Sequence, residues 1–212
     1  MISDSQNILI VDYGMGNIGS IKNMLHYVGA RAEVVSNPAQ IKHASRIILP
    51  GVGHFDQAML NLRKSGMAEA LTEVVSHQSI PVLGICLGMQ VMCNFSEEGK
   101  ELGLGFIDAS VSRFNFESCS DLKVPHMGWR DVVPQRGATL LGPIDAPLSR
   151  YYFVHSYYVS CENKEDVIGT TQYGGEFVSA FKRENVVGLQ FHPEKSHKYG
   201  MQIFENFVKT SI

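Results

Sequence analysis

The chain has 212 residues, of which 44% are hydrophobic and 18% are charged, and its net charge at pH 7 is −3. This balance is typical of a folded protein with a substantial core and excludes a chain that stays disordered. Because the 18 basic residues do not outnumber the 21 acidic ones, the chain has no positive excess for contacting phosphate backbones, and we expect no nucleic-acid partner.

The hydropathy and cysteine patterns indicate the cellular compartment of the protein. No apolar run approaches the roughly 20 residues that span a bilayer, so we expect no membrane association. Residues 1–7 lack the positive and apolar regions of a signal peptide. The four cysteines form no CxxC pair, a pattern typical of reduced thiols rather than of a disulfide framework. These features predict a cytoplasmic protein, and residues 1–212 are expected to form one domain.

Short apolar runs alternate with helical patterns in the first half of the chain. A helix is predicted after Asn17, a suitable N-cap, and it is expected to stop at Gly29. A second helical stretch lies between the third and fourth strands. Alternation of this kind is typical of a parallel sheet with helices on both faces. The predicted strands are residues 7–12, 32–36, 46–49 and 80–85.

After about Gly103 the pattern becomes strand-rich. Residues 114–148 contain many Pro and Gly and are predicted to be mainly loops, and a final helix is predicted over residues 198–209. We therefore expect an α/β fold, with a mostly parallel open sheet, helices on both faces and a β-rich second half. The predicted strands of that half are residues 106–114, 151–160, 167–173, 177–182 and 186–191.

Residues 14–19 match the pattern G-x-G-x-x-G of dinucleotide-binding turns. Glu33 lies about 20 residues further on, but near the start of the second strand, whereas a ribose-binding acid belongs at the end of that strand. Two interpretations stay open, a nucleotide-binding turn and an ordinary tight strand–helix turn. The second is favoured, and we expect no cofactor.

The strongest local pattern is an apolar strand that runs into Gly84-x-Cys86-x-Gly88 and then into a helical pattern. This arrangement is typical of a nucleophile elbow in which cysteine replaces serine. Glycines flank such a nucleophile because the turn is strained, and a cysteine at the start of a helix has its thiolate stabilised by free N–H groups. We therefore predict that Cys86 is a nucleophile. The alternative is a buried structural cysteine.

A thiolate nucleophile needs a base, and His192 follows an apolar strand with Glu194 two residues later. On an extended segment these two side chains point to the same side, so the carboxylate can orient the imidazole. Cys86, His192 and Glu194 are therefore the predicted catalytic residues. No HExxH or paired Cys/His pattern is present, and we expect no metal site.

A backbone oxyanion hole is predicted beside the elbow. The sequence Pro-Gly-Val-Gly at residues 50–53 ends a strand in a turn that exposes backbone N–H groups. Its place at the carboxyl edge of the sheet is where α/β folds keep their sites. The predicted oxyanion residues are Gly51, Val52, Gly53 and Leu87.

Together these motifs resemble the class I (triad) glutamine amidotransferases, and the resemblance covers nearly the whole chain. It is carried by residues 50–53, 84–90 and 190–196. Within that family the chain resembles the glutaminase subunits of imidazole glycerol phosphate synthases. That closer resemblance is carried by residues 12–17, 125–129 and 152–157.

The resemblance implies that Cys86 attacks the carboxamide of glutamine, that His192 acts as base and then acid, and that Glu194 orients it. It implies a heterodimer with a (β/α)₈-barrel cyclase, which adds the released ammonia to a phosphoribulosyl ribonucleotide in histidine biosynthesis. The residues expected to bind glutamine are Gln90, His155, Ser156 and Tyr157. The residues expected at the partner interface are Asn17, Trp129 and Lys195.

Three other hypotheses remain open at this point. The family usually has Asn after Trp129, where this chain has Arg130-Asp131. Related subunits supply ammonia for an amidino sugar of surface polysaccharides, which is the main alternative. A docking module that binds a barrel protein without catalysis, and a peptidase-like cysteine hydrolase, are further alternatives. The complete triad favours glutaminase chemistry.

Overall fold

The computed structural model describes residues 7–116, 122–135, 138–143 and 147–209, so Cys119 lies outside the described residues. The α-helices are α1 (Ile18–Tyr27), α2 (Phe55–Lys64), α3 (Met67–His77), α4 (Leu87–Gln90) and α5 (His197–Lys209). The strands are β1 (Ile8–Val11), β2 (Ala32–Val35), β3 (Arg46–Leu49), β4 (Val82–Ile85), β5 (Phe95–Ser96), β6 (Ala109–Arg113), β7 (His126–Pro134), β8 (Ser149–His155), β9 (Tyr157–Cys161), β10 (Val167–Gln172), β11 (Glu176–Arg183) and β12 (Val186–Leu189).

The sheet begins with five parallel strands in the order β2-β1-β3-β4-β12. The four strands predicted in the first half are all present. β12 comes from the far end of the chain and pairs in parallel with β4, with Gly188 opposite Gly84. The carboxyl ends of β3, β4 and β12 therefore meet at one edge, which brings residues from three distant parts of the sequence together.

Both faces of this parallel sheet are covered, because successive side chains of a strand point to opposite sides. On β1, Leu9 and Val11 belong to the core cluster that includes α2 and α3. Ile8 and Ile10 belong to the cluster that includes α1 and α5. All four are essentially inaccessible to solvent, which explains why β1 has an unbroken apolar sequence. The expected fold is confirmed in this half.

Beyond β12 the sheet continues through β11, β10, β7 and β8, and these neighbours pair antiparallel. A branch leaves β11 at β9, which pairs with β6, and β6 pairs with β5. This is the expected β-rich half. The loop assignment of residues 114–148 is partly wrong, since β7 spans nine of them. Pro125 precedes that strand and Pro134 is its last residue, so the prolines mark the two ends of the strand and do not exclude it.

Two other predicted elements differ in detail. The strand predicted over residues 151–160 is split at Ser156 into β8 and β9, which belong to different parts of the sheet. The helical stretch after β3 is two helices, because Gly66 adopts a left-handed φ of 75° between α2 and α3. Within the part of the chain that the structure describes, no helix is long and apolar enough to cross a membrane.

Candidate active site

Cys86 occupies a sharp turn between β4 and α4. Its backbone has φ 55° and ψ −109°, a conformation that costs a non-glycine residue about 1–3 kcal/mol and is concentrated at functional sites. The turn closes tightly because a Cβ on Gly88 would overlap the carbonyl oxygen of Leu49, and a Cβ on Gly84 would lie 2.7 Å from the carbonyl oxygen of Gly88. The two glycines therefore allow α4 to start directly against the sheet.

The elbow aims the cysteine sulfur into a polar environment. The amide nitrogen Nε2 of Gln190 lies 3.8 Å from Cys86 Sγ, and the carbonyl oxygen of Val154 lies 4.0 Å from it. Cys86 is buried, with 7% of its surface exposed. The helix α4 is a single turn of four residues, so local N–H groups rather than a long helix dipole act on this sulfur.

His192 and Glu194 stand beside the cysteine at the end of β12. The imidazole Nδ1 lies 2.8 Å from Glu194 Oε1, and both side chains are 1% exposed. The expected extended geometry is wrong, because Pro193–Lys195 forms a 3₁₀ turn with proline at its first position. The turn folds the carboxylate back onto the ring, so the predicted contact forms by a different backbone path.

The charge state of His192 follows from its neighbours. Burial alone would lower the pKa of the imidazole, but the negative charges of the Cys86 thiolate and the Glu194 carboxylate raise it to about 10. Because Nδ1 is held by Glu194, Nε2 is the nitrogen left for chemistry. Nε2 is buried and has no hydrogen-bond partner among the described residues. This arrangement can hold a thiolate–imidazolium pair.

The turn after β3 lies next to the elbow. Tyr13 donates its hydroxyl proton to the carbonyl oxygen of Pro50 at 2.7 Å, and a Cβ on Gly51 would lie 2.6 Å from the backbone nitrogen of Gly88. Gly53 has a left-handed φ of 109°. The turn is thus packed directly on the start of α4, whose first N–H groups have no partner within the helix.

These residues enclose a cavity of about 280 Å³. That volume lies below the roughly 300–1,000 Å³ of pockets for drug-sized ligands and suits a single amino acid. The lining includes nine predicted residues: Val52, Gly53, Cys86, Leu87, Gln90, His155, Ser156, Tyr157 and His192. Three lining residues were not predicted: Glu98, Pro125 and Val154.

Comparison with known proteins identifies the family. The family model described as glutamine amidotransferase class-I matches residues 9–210. The chain belongs to the class I glutamine amidotransferases. It is 48% identical over 202 residues to the imidazole glycerol phosphate synthase subunit HisH 2 of Methanococcus maripaludis, covering 95% of this chain and 98% of the relative. It is 50% identical to the subunit of the same name in Pseudomonas aeruginosa, with the same coverage.

Solved structures show the same fold at low sequence identity. The structure of PurLQS from Thermotoga maritima matches with a TM-score of 0.72 at 17% identity, covering 95% of this chain and 97% of that one. The glutaminase domain of Trypanosoma brucei CTPS matches with a TM-score of 0.67 at 16% identity, covering 98% and 96%. The predicted fold and the predicted amidotransferase family are both confirmed, and this amidotransferase is an enzyme.

In this amidotransferase His155 lines the cavity, but both its ring nitrogens are engaged within the protein. Nδ1 lies 2.7 Å from the carbonyl oxygen of Tyr157, and Nε2 lies 2.9 Å from His126 Nδ1. Because a carbonyl only accepts, His155 Nδ1 carries the proton, and His126 must donate to Nε2. Burial lowers the pKa of His155 to about 3 and that of His126 to about 4, so both rings are neutral. Both ring nitrogens of His155 are therefore occupied by Tyr157 and His126.

Two of the predicted interface residues, Trp129 and Lys195, lie on one surface region next to the triad. Trp129 stacks on His197 with ring centroids 5.6 Å apart and planes at 4°, and it meets the edge of Tyr152 at 6.2 Å. Lys195 is exposed and places its Nζ over the Tyr152 ring at 5.8 Å. We call Trp129, Tyr152, Lys195 and His197 the aromatic patch. Asn17 is half-buried at the start of α1, which packs against the 3₁₀ turn that carries Lys195.

The G-x-G-x-x-G segment packs against the turn after β3. A Cβ on Gly16 would lie 2.9 Å from Pro50 Cβ, and one on Gly53 would lie 2.7 Å from Met15 Cε. The close approach to Pro50 accounts for Gly16, and Gly14 has a positive φ of 84°, whereas a Cβ on Gly19 would meet no atom within 4 Å. Gly51, predicted as an oxyanion residue, packs on Gly88 and Tyr13 rather than lining the cavity.

Two polar residues of the site were missed in the sequence, Glu98 and Gln190. Glu98 is in the turn after β5, and its Oε2 accepts a hydrogen bond from the backbone N–H of Phe55 at 2.9 Å. Nothing in its local sequence marks it. Gln190 had a usable signal, because it directly follows β12 at the carboxyl edge of the sheet, two residues before His192.

Proposed function

We propose that this amidotransferase is the glutaminase subunit of an imidazole glycerol phosphate synthase, and that it hydrolyses glutamine with Cys86, His192 and Glu194. The observation that carries the proposal is that His192 Nε2 has no hydrogen-bond partner within the described part of the chain, while the ring is buried beside a strained cysteine and its Nδ1 is held by Glu194. The names of the relatives support the choice of pathway.

In the proposed reaction the Cys86 sulfur attacks the carboxamide carbon, so that a C–S bond forms and the carbonyl electron pair moves to oxygen. His192 gives its Nε2 proton to the amide nitrogen, the C–N bond breaks and ammonia leaves. Water, deprotonated by His192, then attacks the glutamyl thioester, the C–S bond breaks and glutamate is released. The raised pKa of His192 keeps the imidazole protonated between cycles.

The negative oxygen of the tetrahedral intermediate needs donors at the rim of the cavity. Leu87 begins α4 and presents an N–H that has no partner within the helix. Val52 and Gly53 line the cavity from the turn after β3. We propose that these backbone groups form the oxyanion hole, and that Gly51 serves to let the turn approach α4.

Two side chains suit the amino-acid end of glutamine. Among the described residues that line the cavity, Glu98 supplies the only carboxylate, which complements an ammonium group. The Gln90 Nε2 donates to the carbonyl oxygen of Tyr157 at 3.1 Å and to the side chain of Gln190 at 3.0 Å. Its Oε1 is therefore left as an acceptor toward the cavity. The small volume favours a single amino acid over a peptide as the natural substrate.

The aromatic patch is proposed as part of the docking surface for a (β/α)₈-barrel cyclase. The backbone N–H of His192 donates to the carbonyl oxygen of Tyr152 at 2.9 Å, and Lys195 directly follows Glu194. A partner seated on this patch would lie beside the triad, so that ammonia could pass to it without entering solvent. Free glutaminase activity would waste ammonia, and we expect the activity of the chain alone to be low.

Glutamate release from glutamine tests this function. It is measured for the chain alone, with a purified barrel cyclase, and with the cyclase plus the phosphoribulosyl ribonucleotide. Strong stimulation by cyclase and ribonucleotide together is expected. Glutamate release without such stimulation would keep the glutaminase chemistry and contradict the histidine-pathway acceptor, and the amidino-sugar role would then be tested with its own acceptor.

The nucleophile is tested by Cys86→Ala, which should reduce glutamate release to background while binding of the cyclase persists. The matched control is Cys93→Ala. Cys93 is also buried, and its sulfur lies 3.8 Å from the carbonyl oxygen of Met89 rather than in the cavity. A normal rate of glutamate release by Cys86→Ala would refute the assignment of the nucleophile.

A further inference from the structure

The side chain of Gln190 is fully buried between Gln90 and Cys86, and the reaction described above gives it no role. Its Oε1 accepts from Gln90 Nε2 at 3.0 Å, and its Nε2 lies 3.8 Å from Cys86 Sγ. Its backbone N–H donates to the carbonyl oxygen of Ser179 on β11 at 2.9 Å, which fixes the residue at both ends. A buried amide in this position has its polar atoms committed to particular partners.

The orientation of the Gln190 amide follows from its neighbours. Tyr157 offers a carbonyl oxygen, which only accepts, so the Gln90 atom 3.1 Å from it must be the NH₂ group. The same NH₂ group faces Gln190, so Gln190 must present its oxygen there. The reversed amide would set NH₂ against NH₂ and an oxygen against the sulfur. Gln90 and Tyr157 therefore force an N–H of Gln190 toward Cys86.

We propose that Gln190 is a further catalytic residue, which donates a hydrogen bond to the Cys86 sulfur and stabilises its thiolate, with Gln90 as the residue that positions it. The inference rests on the proposed glutaminase reaction for its use of the thiolate. Gln190 makes and breaks no covalent bond. Its N–H interacts most strongly when the sulfur is negative, before attack on glutamine and again when the sulfur leaves the thioester.

The other groups around the sulfur define what a pH experiment would report. Tyr13 and His192 face Cys86, Glu194 acts through His192, and His155 lies beside His192. Burial raises the pKa of Tyr13 and lowers that of His155 to about 3, so neither changes charge between pH 5 and 9. The triad is untouched by a substitution of Gln190, and a shift seen on substitution reports the lost N–H.

The test is the rate of Cys86 alkylation by iodoacetamide between about pH 5 and pH 9, below the pKa of His192, followed on the Cys86 peptide by mass spectrometry. In this reaction a C–S bond forms and iodide leaves, so glutaminase activity is not needed. Gln190→Met keeps the length of the side chain and removes the donor. We expect the pH midpoint of alkylation to rise by about one unit, because a hydrogen bond to a charged group is lost.

The alkylation rates of the wild type and of Gln190→Met should also cross as the pH rises. A merely structural role of Gln190 would not produce this crossing. For a one-unit rise in the midpoint, the thiolate fraction well below it falls about 10-fold while the thiolate becomes about 3-fold more nucleophilic. Gln190→Met should therefore react about 3-fold more slowly than the wild type at low pH and about 3-fold faster at high pH. An unchanged midpoint, or an equal slowing at every pH, would overturn the proposal.

Two further variants complete the design. Gln190→Asn keeps a buried amide but is one methylene shorter, so it should show the same upward shift, which secures the test if the Met variant folds poorly. Gln202→Met, which removes an exposed amide of α5 that bonds Asn206 at 2.9 Å, should leave the profile unchanged. Glutamate release by the wild type, assayed in parallel, separates failure of the proposed function from failure of this inference.

Discussion

Acidification should destabilise this protein through its two buried histidines, His126 and His155. Their pKa values are lowered to about 4 and about 3, whereas an unfolded histidine has a pKa near 6.5. Between about pH 4 and pH 6.5, these two histidines bind protons in the unfolded chain that they do not bind in the folded chain. The stability that the neutral pair provides is present above about pH 6.5, and it is lost as the pH falls toward the folded pKa values.

The magnitude follows from the pKa values. Between pH 6.5 and 5 the unfolded imidazole goes from about half to almost fully protonated, which costs about 1.6 kcal/mol per group, so the pair should lose about 3 kcal/mol of unfolding free energy. That is a large part of the roughly 5–15 kcal/mol typical of a folded domain. His192, whose pKa is raised to about 10, stays protonated in the folded state throughout this window, so it adds only a small opposing slope near pH 6.5, where the unfolded imidazole is partly neutral.

The assay is urea unfolding at pH 7, 6 and 5, analysed for the number of protons taken up on unfolding. Between pH 6 and 5 the uptake should approach two. His126→Phe keeps a ring between Phe153 and Tyr173, on which His126 stacks, and should lower the uptake to about one. His26→Gln, an exposed residue of α1, should leave the uptake unchanged. Equal stability of the wild type at pH 7 and pH 5 would refute the reasoning.

Two further predictions concern packing and substrate binding. Gly88→Ala should lower the unfolding free energy by about 3 kcal/mol in urea unfolding, because its Cβ would overlap the carbonyl oxygen of Leu49. Gly19→Ala, which has open space in α1, should be neutral or stabilising by about 1 kcal/mol, and an equal loss in both would contradict the packing argument. Glu98→Gln keeps an acceptor for Phe55 and removes the charge, so the KM for glutamine should rise at least about 10-fold with a smaller change in kcat; an unchanged KM would exclude Glu98 as the ammonium ligand.

The parallel half of the fold was predictable from the sequence because its information is local. An apolar run such as β1 predicts a strand that is buried on both faces. The Gly84-x-Cys86-x-Gly88 spacing by itself indicates the tight turn that requires both glycines. β7 was missed because its flanking prolines resemble loop signals. The strand is identified by its pairing with β8, which is a long-range property.

The candidate site likewise contains residues that a local sequence pattern predicts and contacts that depend on long-range pairing. Cys86 and His192 were predicted because each follows an apolar strand with its own local pattern, and Glu194 because it lies two residues after His192. The His126–His155 contact depends on the register of β7 against β8, in which these residues lie opposite each other across 29 positions of sequence. The role of Gln190 depends on a similar contact with Gln90, 100 residues away. Neither contact can be predicted from a short segment of sequence, because each joins residues that are far apart along the chain.

The position of β12 has a consequence for how the protein is made. This strand is inserted between β4 and β11, in the middle of the sheet, and it delivers His192 to a cysteine that was synthesised more than 100 residues earlier. A chain still emerging from the ribosome therefore carries the thiol without its base. The enzyme therefore acquires the ability to consume glutamine only after β12 has docked beside β4.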